Sequence, residues 1–184
     1  MIYILLNVAW IGFILYWAVS SFSAKKTIKR DWGSWVVRAV IFLILIVLSD
    51  SNRFNFLHGY SAASGPLALQ AVGLLLAYIG IALAIWARVH LGANWGMSMS
   101  LKEDPELVTT GPYSWIRHPI YSGVLLAMLG TVFVVGIEWL IIFIVFSIYF
   151  IYSATREEKN MTLQFPVQYP EYKKRTKMLV PFVF

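Results

Sequence analysis

Arg117-His118 and, further along the chain, Glu157-Glu158 are pairs of ionisable residues set directly against long apolar runs. A guanidinium, an imidazole and two carboxylates can bind a polar ligand, hold charge or move a proton. Ionisable groups gathered at membrane depth are expensive and point to a functional site by default. The first pair belongs to Leu107–Gly123, LVTTGPYSWIRHPIYSG, with the turn Gly111-Pro112 and the aromatics Tyr113, Trp115 and Tyr121. Pro119 suits the first turn of a helix, where its missing N–H has no partner to lose. Arg117 and His118 are therefore expected at the mouth of a membrane helix. Plain interface anchors use the same residue types, and Glu157 and Glu158 could equally be solvated or paired with Arg156 and Lys159. Adjacent helical side chains point ~100° apart, so one of the two glutamates is expected to face inward.

The elements that must position these groups are membrane helices. Of 184 residues, 59% are hydrophobic and 13% charged, and the mean hydropathy is +0.70, whereas soluble domains carry about 25% charged residues. The chain reads as one all-α integral membrane bundle over residues 1–184. Ile2–Phe22 is a first span, with Lys25, Lys26, Lys29 and Arg30 after it, opposite to a signal peptide. Val36–Ser49 is a short second span and Pro66–Leu91 a third, with Gly73 and Gly80 on a face suited to close helix contact. Ile120–Ser153 as one helix would be ~51 Å long, against a hydrocarbon core of ~30 Å. It must be a hairpin turning at Gly136 and Glu138, which makes five spans. The basic residues then fall on one side apart from Arg53, so the positive-inside rule puts the N-terminus outside and the C-terminus in the cytoplasm. That rule accounts for the net charge of +6 without nucleic acid. His58, His90 and His118 are too scattered to hold a metal, and the lack of cysteine excludes thiolate chemistry.

LGANW, then LVTTGPYSWIRHPIYSG, an apolar hairpin, and REEKNMTLQFPVQYPEYKKRTKMLVP together resemble the isoprenylcysteine carboxyl methyltransferase family and, more distantly, the phospholipid N-methyltransferases. The resemblance rests on Leu107, Val108, Gly111, Tyr113, Arg117, His118, Pro119, Tyr121, Glu157, Glu158, Phe165, Tyr169, Tyr172 and Pro181. It covers about residues 91–184. It implies methyl transfer from S-adenosylmethionine under a cap formed by the C-terminal segment. The cofactor would be held by Leu107, Val108, Tyr113, His118, Pro119, Tyr121 and Glu157, with Arg117, Arg156 and Glu158 in catalytic roles. Tyr113 and Tyr121 would line the adenine site or lie near the sulfonium, which a ring face attracts by ~0.5–2 kcal/mol. No G-x-G-x-x-G fingerprint occurs, so the site would be non-Rossmann. The acceptor would be a lipophilic molecule entering from the bilayer, among membrane lipids, and the favoured reaction is carboxyl O-methylation of a prenylcysteine-like or other isoprenoid or lipid carboxylate.

One position departs from the pattern. Where prenylcysteine enzymes carry an arginine for the substrate carboxylate, one turn before the first glutamate, this chain has Ser153. Either Arg156 or Arg88 takes that role, or the acceptor is not a prenylcysteine carboxylate, and the second is the expectation here. The alternatives are a lipid-amine N-methyltransferase and an NADPH-using protein resembling sterol reductases.

Overall fold

The structure, a computed structural model, describes residues 1–23, 27–29, 66–95, 101–102 and 106–181. The second expected span, Val36–Ser49, lies outside the described residues, as do the polar segment 50–65 and Arg53. Among the described residues the chain is an all-α bundle with one short antiparallel strand pair, β1 (Thr27–Lys29) with β2 (Leu101–Lys102), which no sequence feature announced.

Helix α1 is Ile2–Ser20 and α2 is Leu67–Leu91, preceded by Pro66. The expected hairpin is α3 (Pro119–Val135) and α4 (Glu138–Gln164), which turns through Gly136, a residue with φ +144° that favours glycine. A short helix rich in charge, α5 (Gln168–Arg175), follows. Three of these helices, α1, α2 and α4, are long and apolar enough to cross a membrane, and α3 is a shorter apolar helix of 17 residues. At 1.5 Å per residue α4 is ~40 Å long, so its last turns, with Glu157 and Glu158, extend past a ~30 Å hydrocarbon core. Ile4, Val8, Ile11, Leu15, Leu75 and Ile148 are exposed, as lipid-facing side chains of a membrane bundle must be.

The core is a seam between α2 and α3. Gly73, Ala77, Gly80 and Ala84 face Gly123, Ala127 and Gly130 in antiparallel order. A Cβ on Gly80 would lie 2.5 Å from Gly123 O, and one on Gly130 would lie 2.6 Å from Ala77 N. Small residues spaced seven apart on both helices let the backbones touch, which is how helices associate without a hydrophobic driving force. Helix α1 lies across this pair. Trp10 Nε1 donates to Thr131 Oγ1 at 3.0 Å, Tyr78 OH donates to Leu5 O at 3.1 Å, and Leu6 is buried with Ala77 and Val134.

Candidate functional site

The segment 111–118 is held in place from both sides before it reaches α3. Gly111, at φ +58°, lies on the His90 ring, where a Cβ would sit 2.3 Å from the ring carbon Cδ2. On the other side the C-terminal segment runs beside it. Lys177 N donates to Trp115 O, Arg117 N to Lys177 O and His118 N to Met178 O, at 2.8–3.2 Å. Ser122 Oγ donates to Leu179 O, and Tyr172 OH donates to Tyr113 O at 2.6 Å. The tail thus adds itself, strand-like, to the backbone that carries Arg117 and His118.

The two expected charge pairs meet here. Arg117 Nε donates to Glu158 Oε1 at 2.6 Å, and Arg117 Nη1 donates to Thr176 O. Lys173 Nζ lies 2.7 Å from Glu158 Oε2. Glu158 and Arg117 side chains are 4% and 7% exposed, so this is a buried ion pair closed by a third, half-exposed charge. Glu157 accepts from Tyr121 OH. His118 sits between the carboxylates, Nδ1 3.5 Å from Glu157 and Nε2 3.7 Å from Glu158. Burial alone would lower the His118 pKa, but the facing carboxylates of Glu157 and Glu158 outweigh it and hold it above the ordinary 6.5. Burial likewise pushes the Tyr113, Tyr169 and Tyr172 phenols upward, so they remain neutral donors.

Both glutamates face this cluster, not one of them as expected. Their side chains are long enough to reach around the ~100° between them, because His118 fills the gap, Arg117 arrives from the segment before α3 and Lys173 from the tail. Tyr121 stacks on His118 (centroids 5.5 Å apart, planes 4°) and on Phe150 (4.5 Å, 17°). That stacking takes up ring surface expected to lie open to a sulfonium.

The remaining expected residues are distributed as follows. Tyr113 and Pro119 are buried at the base of the cluster. Leu107 and Val108 line a separate hollow of about 500 Å3 with His90, Asn94 and Glu106, beside the end of α2. Arg156 is exposed, one residue before Glu157 on α4. Arg88 is buried, donates to Gly92 O at 2.7 Å and to Ser20 O, and lies over the Trp95 ring, so it ties α1 to the end of α2. Two members of the cluster had gone unnamed in the sequence. Phe150 carried a signal, since Phe150, Ala154 and Glu158 recur every four residues on one face. Lys173 carried none, being one of three consecutive basic residues.

Comparison with known proteins places the chain in a family. The phospholipid methyltransferase family model matches residues 69–167, reaching back through α2, beyond the motif-bearing half. The protein-S-isoprenylcysteine O-methyltransferase of Saccharomyces cerevisiae is 26% identical over 179 residues, which is 93% of this chain and 75% of that protein. The Mus musculus protein of the same name is 31% identical over 119 residues, 62% of this chain and 42% of that protein. The structure of a eukaryotic intramembrane Ras methyltransferase, isoprenylcysteine carboxyl methyltransferase, aligns with a TM-score of 0.59 at 20% identity. It covers 85% of this chain and 55% of that one, so the chain spans about half the length of that fold relative.

Proposed function

Because the chain belongs to the phospholipid methyltransferase family, we propose that it is a membrane-embedded methyltransferase that uses S-adenosylmethionine and acts on a lipophilic acceptor. The observation that carries this reading is the polar cluster of His118, Tyr121, Glu157, Glu158 and Arg117, built where α3 begins and α4 ends and closed by the tail. The residues fit the cofactor. Glu157 is a carboxylate for amino or hydroxyl donors, and the buried His118 Nε2 has no hydrogen-bond partner among the described residues, as a ligand-binding atom would. Tyr113, Pro119, Leu107 and Val108 complete the expected binding set, the last two from the neighbouring hollow.

Bound there, the cofactor supplies a methyl group already activated on a sulfonium, so alignment and exclusion of water carry most of the rate. Glu157 and His118 bind and orient. Arg117 and Glu158 satisfy each other and fix the tail over the site, which makes them positioning residues. Arg156, exposed on α4, is left outside this scheme. The acceptor enters from the bilayer between α3 and α4. A phospholipid amine is the second reading, favoured by the family that the chain matches. The whole chain acts as one domain, its N-terminus outside and its C-terminus cytoplasmic. Thiol labelling of Thr110→Cys from inside and Ile137→Cys from outside tests that orientation.

Titration with S-adenosylhomocysteine, with NADPH as control, tests the cofactor. Incubation with labelled S-adenosylmethionine and a membrane lipid extract tests the reaction, with base-labile volatile label expected for an ester and base-stable label for an amine. Binding of NADPH in place of S-adenosylhomocysteine would reject the methyltransferase.

A further inference from the structure

Hydroxyl side chains on these helices follow one habit. Thr131 donates to Ala127 O, Ser147 to Phe143 O, Thr155 to Ile151 O and Thr162 to Glu158 O, each one turn back, at 2.8–2.9 Å. Such back-bonding satisfies a hydroxyl without any outside partner. Ser153 departs from it. It is fully buried, and its Oγ has no hydrogen-bond partner among the described residues. A buried polar atom left unmatched is costly, and the Tyr149 carbonyl one turn back was the ordinary remedy.

The position of Ser153 says what the hydroxyl is kept for. It lies on the buried face of α4 with Phe150, Ala154 and Glu158. Glu157 follows four residues later, so Ser153 is ~6 Å deeper along the helix axis. Phe150 stacks on Tyr121, and Tyr121 stacks on His118, whose Nε2 is the other unmatched polar atom of this region. One unmatched atom belongs to the stacked His118, and the other lies on the buried helix face that carries Phe150, one turn before Glu157. Among the described residues, the buried cations nearest in the fold are already engaged: Arg117 with Lys173 by Glu158, and Arg88 by backbone carbonyls.

We propose that Ser153 is a specificity-determining residue that hydrogen-bonds the polar head of the acceptor, and that this head is uncharged. The proposal rests on the methyltransferase reading and narrows it. A neutral hydroxyl, amine or amide can both donate to and accept from Ser153. A carboxylate carried to this depth would need a cation, and a buried anion without one is strongly disfavoured.

The test compares two ligands that share a tail, N-acetyl-S-farnesylcysteine and its carboxamide, for binding to the detergent-solubilised full chain saturated with S-adenosylhomocysteine. Wild type is expected to bind the amide about tenfold more tightly than the acid, the scale of one hydrogen bond to a buried group. Ser153→Ala is expected to weaken amide binding several-fold while S-adenosylhomocysteine affinity holds. Equal or tighter binding of the acid by wild type overturns the proposal, whether or not the variant folds. So does unchanged amide affinity in Ser153→Ala. Failure to bind S-adenosylhomocysteine at all is a separate result and strikes the methyltransferase reading instead.

Discussion

Helix α3 is held in two different ways along its length. From Gly123 to Gly130 it meets α2 backbone to backbone, through glycine and alanine, with no charge involved. At its start, His118 and the residues around it are held by an ion pair, a carboxylate–phenol hydrogen bond and four bonds to the tail. The seam is dry and tolerates no added atom. The cluster is polar, partly closed by chain that could have gone elsewhere, and leaves two buried polar atoms unmatched. A protein that needed only a stable bundle would have extended the seam. The contrast teaches that α2 and α3 form a rigid post and that the chemistry is hung from its end.

The sharpest way to break this contrast is to damage the seam. Gly80→Leu puts a side chain where even a Cβ would lie 2.4 Å from Ala127 N. Backbone cannot yield as a flexible side chain can, so the helix pair must separate, well beyond the ~1–3 kcal/mol of ordinary overpacking. The expected outcome is loss of monodisperse protein in size-exclusion chromatography. Gly12→Leu on α1, where a Cβ meets nothing within 4 Å, is expected to behave as wild type.

The cluster should fail differently. Glu158→Gln strands a buried Arg117 and removes the Lys173 contact, and breaking one side of a buried pair costs ~3–5 kcal/mol. Thermal unfolding is expected at lower temperature, with the tail more open to proteolysis. Arg117→Met added to it should restore part of the loss, since the two changes remove one shared interaction. Additive losses would mean that the pair is not a unit.

These two regions were unequally legible in the sequence. The seam could be read from Gly73 and Gly80, because a seven-residue spacing is local and helical geometry fixes which face it makes. The hairpin could be read too, since thirty-four apolar residues exceed one crossing and Gly136 supplies the turn. The ionisable residues of the cluster were legible as a set, but not their partners. Glu158 joins Arg117 and Lys173 from three separate elements, and nothing in a run of Lys173, Lys174 and Arg175 says which one turns inward. The resemblance put both glutamates in the site, but helix spacing alone could turn only one of them inward, since their joint engagement depends on His118 arriving between them. The β1–β2 pairing is two to three residues long, too short for alternation to announce it.

Acidity sharpens the comparison further, because the seam has nothing to titrate. The His118 pKa is raised above 6.5 in the folded chain. Protonated His118 therefore favours the fold, with its contribution fully present below about 6.5 and lost as pH rises through the folded-state value. Thermal midpoints are expected to fall as pH rises from about 6.5 through the folded-state value, and His118→Gln should flatten that slope. A slope unchanged in His118→Gln would assign the pH response to another group.

The smallest expected effect separates neighbours on one helix turn. Glu157 accepts from Tyr121 and faces His118, whereas Arg156, one residue earlier, is exposed. Glu157→Ala is expected to weaken S-adenosylhomocysteine binding by ~1–3 kcal/mol, the range for a lost charge-assisted hydrogen bond. Arg156→Ala, a surface substitution outside the buried charges, is expected to change it by less than ~0.5 kcal/mol. The pair also tests the role that the family pattern offered to Arg156, because a cation clamping a substrate carboxylate would make Arg156→Ala cost binding of the farnesylcysteine acid while sparing the cofactor analogue. Isothermal titration of both variants with both ligands decides it. A loss confined to the acid in Arg156→Ala would bring Arg156 into the site by movement of the end of α4, and would set the cluster's boundary one residue wider than its buried charges do.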